Sequence, residues 1–215
     1  MNEWIGKDRK MHIGIAGNIG SGKTTLTRML SDHYGWQPKY ESVTYNPYLE
    51  DYYSDIPRWS FNLEVYFLEQ RIRDIMDISR STDVIVQDRT IFEGVHVFVA
   101  SNHEMGNLSD RDYETYMRLY ELLISTVKTP DLLIYLRSSV PHLISQIQKR
   151  GRAYEQSMSL EYLEHLNEKY ENFIHGSYSG RVLEIDADGL DFENRPEDFA
   201  LVTGLIDSEL YGLFS

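Results

Sequence analysis

The stretch that most constrains this chain lies near its start. An apolar run, His12-Ile-Gly-Ile-Ala16, feeds Gly17, Asn18, Ile19, Gly20, Ser21, Gly22, Lys23, Thr24 and Thr25, and an amphipathic segment follows. Strand, glycine-rich loop and helix is the order that a phosphate-cradling P-loop requires. Glycine lets backbone amides turn inward with no Cβ in the way, and the helix start behind them adds a positive dipole end. Lys23 is expected on the β- and γ-phosphates and the Thr24 hydroxyl on Mg²⁺, with residues 17 to 25 as the triphosphate site. The competing reading is a chance glycine turn before a helix; the strand and helix patterns on either side weigh against it.

Composition narrows what the triphosphate is for. At 215 residues the chain is long enough for one domain with a sizeable core. A net charge of −13 argues against nucleic acid as a partner, because neutralising phosphates needs a basic surface, and favours a small-molecule substrate. There is no cysteine, so neither disulfides nor thiolate chemistry are available, which suits the cytoplasm. Residues 1–10 lack the apolar core of a signal peptide and read as an N-terminal tail, with residues 11–215 as a single domain. No stretch is long enough to span a bilayer, so no membrane is expected.

Five short apolar runs are expected to form strands: 12–16, 38–43, 83–87, 131–136 and 181–186. The third and fourth show little alternation, as strands covered on both faces do. Helical spacing joins Tyr113, Tyr116, Met117, Tyr120, Leu123, Ile124 and Val127, and again Phe61, Val65, Leu68, Ile72, Ile75 and Met76, behind Pro57. A third helix starts behind Ser159 as N-cap and is expected to run to about His175. Strands alternating with helices predict a three-layer α/β fold, a parallel sheet flanked by helices. In such folds chemistry collects at the carboxyl ends of the strands.

Those ends carry charge. Glu41 stands toward the carboxyl end of the second run, and Asp88-Arg89-Thr90 follows the third. After the fourth comes a basic burst, Lys149-Arg150-Gly151-Arg152, ahead of Glu155. An acid beside an arginine can hold a metal or water and a phosphoryl oxygen; a surface ion pair is the bland alternative. The basic burst suits a lid that clamps a transferring phosphoryl group, where a solvated helix end is the alternative. His96 and His103 have no partners at ligand spacing, so no structural metal is expected, and Met76 and Met117 read as core or interface fillers.

Gly17–Thr25, Glu41-Ser-Val, Asn46-Pro-Tyr-Leu, Arg58-Trp-Ser-Phe61, Asp88-Arg-Thr and Arg150-Gly-Arg-x-x-Glu155 stand in this order along the chain. Together they resemble the deoxynucleoside kinase family: the deoxycytidine, deoxyguanosine and deoxyadenosine kinases and the fly multisubstrate enzyme. The resemblance implies a P-loop kinase fold with a five-stranded parallel sheet and a short arginine-bearing lid, a homodimer built on two long helices, and transfer of the γ-phosphate of ATP to a deoxynucleoside 5′-hydroxyl in nucleotide salvage. It implies Glu41 as the base, Arg89 beside it and Lys23 on the phosphates as catalytic residues. Asp88 would assist Mg²⁺ with Thr24, Arg150 and Arg152 would meet the phosphates, and Tyr53 and Glu155 would hold the sugar 3′-hydroxyl. Asp191 and Phe192 resemble the loop beside the donor adenine, with spacing one residue longer.

Departures from the family pattern bear on the base. Where the family carries a base-pairing glutamine this chain has Glu64; where it carries a base-recognising aspartate, Gly94 stands, which is expected to open room. Arg71, two helical turns beyond Glu64, should face the same way. An ionised glutamate only accepts hydrogen bonds, guanine offers two adjacent donors, and its O6 and N7 accept from arginine. Glu64 with Arg71 therefore puts guanine ahead of adenine and both ahead of pyrimidines; the alternative is that Arg71 pairs with Glu64. Three other functions compete. A nucleoside monophosphate kinase would need more arginines than Arg58 for an acceptor phosphate. A regulatory GTPase would carry Asn-Lys-x-Asp, which is absent. A catalytically silent interaction subunit should have lost Lys23, Thr24, Glu41 or Arg89, and all four are present.

Overall fold

The computed structural model describes residues 10–41, 46–125, 127–152, 155 and 158–212. Its centre is a parallel five-stranded sheet in the order β2-β3-β1-β4-β5. The strands are β1 (Met11–Gly17), β2 (Gln37–Lys39), β3 (Val84–Asp88), β4 (Leu132–Arg137) and β5 (Val182–Asp186). β1, β3 and β4 are almost wholly buried, which explains their unbroken apolar sequence. β1 lies between β3 and β4, so its carboxyl end is the point where the chain's winding reverses, the place where such sheets open a crevice.

The pleat of β1 divides the molecule. Ile13 and Ile15 face a core shared with Leu26 and Leu30 of α1 (Lys23–Tyr34) and Val202 and Ile206 of α9 (Pro196–Tyr211). Ala16 faces the other way, toward Leu166 and Tyr170 of α8 (Leu160–Asn172) and Val97. Val97 belongs to a π-helical turn, Gly94–Val99, between α4 (Ile91–Glu93) and α5 (Ala100–Glu104). That turn also packs against α3 (Ile56–Arg80) and α6 (Asp110–Ile124). α2 (Leu49–Ser54) and α7 (Val140–Arg150) complete the shell.

Four strands fall within a residue of expectation, and β2 does not. It pairs only with β3, and its ladder stops at Lys39 opposite Gln87, so Tyr40 and Glu41 leave the sheet. The rest of that expected strand, 42 and 43, lies outside the described residues, as does Tyr45. Pro57 sits in the first turn of α3, behind Asp55, whose side chain accepts from the Arg58 amide. Ser159 caps α8 as expected, but the α-helix gives way at Phe173 to a π-helical turn, Phe173–Ser177. Met76 is 47% exposed and so is no core residue, whereas Met117 is partly buried against the α3–α6 core.

Candidate active site

The loop after β1 is shaped by its glycines. Gly20 and Gly22 each take φ of +90°, where a side chain is strained. A Cβ on Gly20 would also meet the Leu143 carbonyl oxygen at 2.9 Å. Asn18 fastens the loop from below: its amide donates to the Leu163 carbonyl at 3.1 Å and to Asn167 Oδ1 at 2.6 Å, both on α8. Lys23 is buried and donates to the Asn18 carbonyl at 2.9 Å. Burial, then the positive charge of Arg89, lowers its pKa to about 8 against the pull of Asp88, Glu93 and Glu41.

Next to it the Thr24 hydroxyl donates to Asp88 Oδ2 at 2.5 Å. Asp88 is 4% exposed, and its Oδ1 has no hydrogen-bond partner among the described residues. A buried carboxylate oxygen with nothing to bind, beside a hydroxyl, is the hard oxygen donor set that Mg²⁺ takes when most of its other ligands are phosphate and water. Burial raises the Asp88 pKa, opposed first by Lys23.

Arg89 lies in the left-handed region at φ 68°, a conformation that costs a non-glycine residue ~1–2 kcal/mol. Strain of this kind persists where surrounding contacts fix the side chain. Here Nε lies 3.1 Å from Glu41 Oε1, Nη1 donates to the Tyr170 hydroxyl at 3.2 Å, and the guanidinium stands 4.3 Å over the Phe98 ring. Tyr170 in turn donates to Glu93 Oε1 at 2.9 Å, while Glu93 accepts from the Thr90 amide at 2.8 Å and the Gly17 amide at 3.4 Å. One buried network thus joins the glycine loop to Glu41. Arg71 reaches Glu41 from α3, with Nη2 donating to Oε1 at 2.6 Å. Burial alone would raise the Glu41 pKa, but Arg89, Arg71 and Lys23 together hold it below the usual carboxylate value.

These groups share a cavity of about 380 Å³ that reaches from Lys23 and Thr24 past Glu41 and Arg89 to Glu64, with Tyr53, Phe67 and Phe98 on its apolar walls. Glu64 is 3% exposed and accepts from the Asn102 amide at 3.1 Å. Asn102 Oδ1 accepts from the Tyr52 hydroxyl at 3.1 Å, which lies 3.4 Å from that of Tyr162. At the other end Arg150, Arg152 and Glu155 meet. Arg150 donates to Glu155 Oε2 at 3.0 Å and 2.6 Å, and Arg152 to Oε1 at 3.3 Å. A second cavity, about 250 Å³, lies on the far side of Gly20, Ser21 and Gly22, walled by Asp191 and Phe192.

The model of the deoxynucleoside kinase family matches residues 13–209 of this chain. The chain belongs to that family. It is 38% identical over 191 residues to a deoxyadenosine/deoxycytidine kinase of Bacillus subtilis (strain 168), covering 86% of this chain and 88% of that one. With a deoxyguanosine kinase of the same organism the identity is 35%, over 87% and 91%. Among solved structures, a deoxyadenosine kinase from M. mycoides with bound dATP superposes with a TM-score of 0.82 at 32% identity, over 92% of this chain and all of the other. The five-stranded parallel fold expected from the resemblance is therefore this kinase's fold, and it is an ATP-dependent enzyme.

The kinase brings together most of the residues singled out in its sequence. Lys23, Thr24, Glu41, Tyr53, Glu64, Arg71, Asp88, Arg89, Arg150, Arg152 and Glu155 all line one cavity. Two expectations fail. Arg71 makes its ion pair with Glu41 and none with Glu64 among the described residues. Gly94 does not open room, because the Arg71 guanidinium fills it; a Cβ there would stand 3.1 Å from Nη1. Burial, only partly offset by Arg71, raises the Glu64 pKa to about 7. Asn102, Glu93 and Tyr170 went unread. Thr90-x-x-Glu93 has the spacing of a helix capping box and could have found Glu93. Nothing local marks Asn102.

Proposed function

We propose that this kinase moves the γ-phosphate of ATP to the 5′-hydroxyl of a purine deoxynucleoside, with Glu41 as the base. The observation that carries this is Glu41 itself, an ionised carboxylate held between Arg71 and Arg89 in the same cavity as Lys23 and Thr24. Phosphoryl transfer has a loose transition state, so the nucleophile needs orientation and a nearby proton acceptor more than a strong base. Glu41 orients the hydroxyl and takes its proton; Arg89 holds Glu41 and faces the developing charge. Lys23 leaves the Asn18 carbonyl for the phosphates, a better partner for a buried ammonium. Thr24 and Asp88 would hold Mg²⁺, which supplies charge neutralisation on the phosphates.

Arg150 and Arg152 fit the role of a lid. Their charges rest on Glu155 and are available to phosphate once Glu155 turns to a sugar 3′-hydroxyl beside Tyr53. Phe192, which stands against Gly22, and Asp191 fit the edge of the donor base. An acceptor bearing its own phosphate suits the far end of the cavity poorly, because the charges there are Glu64 and an Arg71 already committed to Glu41. That favours a nucleoside over a nucleoside monophosphate. With Arg71 paired to Glu41, Glu64 alone favours deoxyguanosine over deoxyadenosine, and both purines are expected to react.

We read the kinase as a cytoplasmic homodimer, one domain from residue 11 onward. α3 and α6 leave Met76, Leu119 and Leu122 exposed, surface that a second copy would cover. Among the described residues no helix is long and apolar enough to cross a membrane. The test of the function is a panel of the four deoxynucleosides with ATP and Mg²⁺. Turnover of purines ahead of pyrimidines is the expected result; a pyrimidine preference would overturn the base assignment.

A further inference from the structure

Glu64 sits at the base end of the cavity with an unusual set of neighbours. It is buried, yet no cation lies within ion-pair distance of it among the described residues, because Arg71 on the same helix is given to Glu41. Its one hydrogen bond among the described residues comes from a neutral donor, the Asn102 amide on α5. Tyr52 donates to the oxygen of that amide, whose NH₂ faces Glu64 Oε1. Glu64 Oε2 is left for the cavity.

This arrangement does not commit the carboxyl to one protonation state. Asn102 can donate to Oε1 whether Oε1 belongs to a carboxylate or is the carbonyl oxygen of a neutral acid, in which case the proton sits on Oε2. The two states present different patterns to a purine. The neutral acid offers O–H to adenine N1 and a second Oε1 lone pair to the 6-amino group. The carboxylate accepts from guanine N1–H and the 2-amino group at once. Each form leaves an unpaired buried group against the other base, which is the kind of mismatch that sites reject strongly.

We propose that Glu64 reads adenine as the neutral acid and guanine as the carboxylate, so that one side chain serves both purines and pH sets the ratio between them. This rests on the reading above that the cavity holds a purine deoxynucleoside beside Glu64. The groups that face Glu64 allow both states near neutrality. Burial pushes its pKa up to about 7; Arg71, Asn102 and Arg89 pull it back, and Glu41 pushes it up again. Tyr52, Tyr116 and Tyr162 approach from α2, α6 and α8, and burial raises all three phenols, so none of them ionises in this range. Glu155, in the same cavity, is tied to Arg150 and Arg152.

The test is competition: deoxyadenosine and deoxyguanosine together, with ATP and Mg²⁺, and the product ratio followed from about pH 6 to about pH 8. Effects on Glu41, the lid or the triphosphate act on both substrates and cancel in the ratio. The ratio of guanine to adenine product is expected to rise about tenfold per pH unit, since it follows the ratio of ionised to neutral Glu64. In Glu64→Gln, whose donor and acceptor are fixed, the ratio should be flat and shifted toward adenine. In Asn102→Leu, which removes a donor that favours the carboxylate, the slope should remain and the line move toward adenine. A wild-type ratio constant within about twofold, or a slope that survives in Glu64→Gln, would overturn the proposal. If Glu64→Gln shifts the ratio while the wild type is flat, Glu64 still reads the base and only the two-state reading falls. If Glu64→Gln matches the wild type at every pH, the placement of the base beside Glu64 falls as well.

Discussion

Glu41 shows how much one side chain depends on its neighbours. Its two arginines keep it ionised despite burial, so Glu41→Gln removes the proton acceptor and leaves two guanidinium groups facing a neutral amide. Turnover is expected to fall by about 10²–10⁴, while ATP affinity, measured by calorimetry, changes little; a variant with more than a tenth of wild-type turnover would remove Glu41 as the base. Gly94→Ala tests the position of Arg71. The added methyl presses on Nη1, where about 1 kcal/mol of helix propensity gained offsets a similar overpacking cost. The melting temperature should therefore barely move, while KM for the deoxynucleoside rises as Arg71 is pushed from Glu41. Glu41 and Arg89 were legible because strand ends collect chemistry. Asn102 was not, because its partner Glu64 is 38 residues away on another helix.

At the scale of elements, α8 does more than cover the sheet. Ser159 caps its start, Asn167 and the Leu163 carbonyl hold Asn18, and Tyr170 bridges Glu93 and Arg89. The glycine loop and Arg89 are thus held by one helix. Asn18→Ala breaks the first link and leaves the Leu163 carbonyl without that donor, at a cost of about 1–3 kcal/mol. Thermal denaturation should show the loss, and ATP affinity should weaken with it; unchanged ATP affinity would mean that the loop keeps its shape unaided. The periodicity that placed α3, α6 and α8 was plain in the sequence. The π-helical turn at Gly94–Val99 was not, since an extra residue in a turn leaves no mark on an apolar stretch.

The whole molecule carries its buried acids as a pH-dependent load. Glu64 has a folded-state pKa above its unfolded one, so folding favours its protonated form. That contribution is fully present below the ordinary carboxylate value and is lost as pH rises through about 7. Asp88 and Glu93 shift the same way, whereas Glu41 stabilises above the ordinary value and loses its contribution as pH falls through its lowered one. Glu64→Gln should therefore raise the melting temperature more at about pH 8 than at about pH 5, by a difference worth at most about 3 kcal/mol. An equal effect at both would show that Glu64 is not buried as a carboxylate. Leu122 is 76% exposed on α6, and Leu122→Glu is expected to convert a dimer to monomers in sedimentation, since an introduced charge cannot stay desolvated in an apolar interface.

By itself the sequence determined the parallel sheet, helices α3, α6 and α8 and the phosphate loop, because hydrophobic period and glycine spacing are local properties that any window of the chain displays. It also determined that Glu41, Asp88 and Arg89 stand at strand ends on one side of the sheet. Only the tertiary structure decided which charge goes with which. Arg71 faces the same side as Glu64 along α3, but Glu41 comes to it from another element and takes its guanidinium at 2.6 Å. Glu64 is thereby left buried, with the Asn102 amide as its one donor among the described residues. A carboxyl group's protonation depends on the groups around it, and those around Glu64 come from six parts of the chain besides α3.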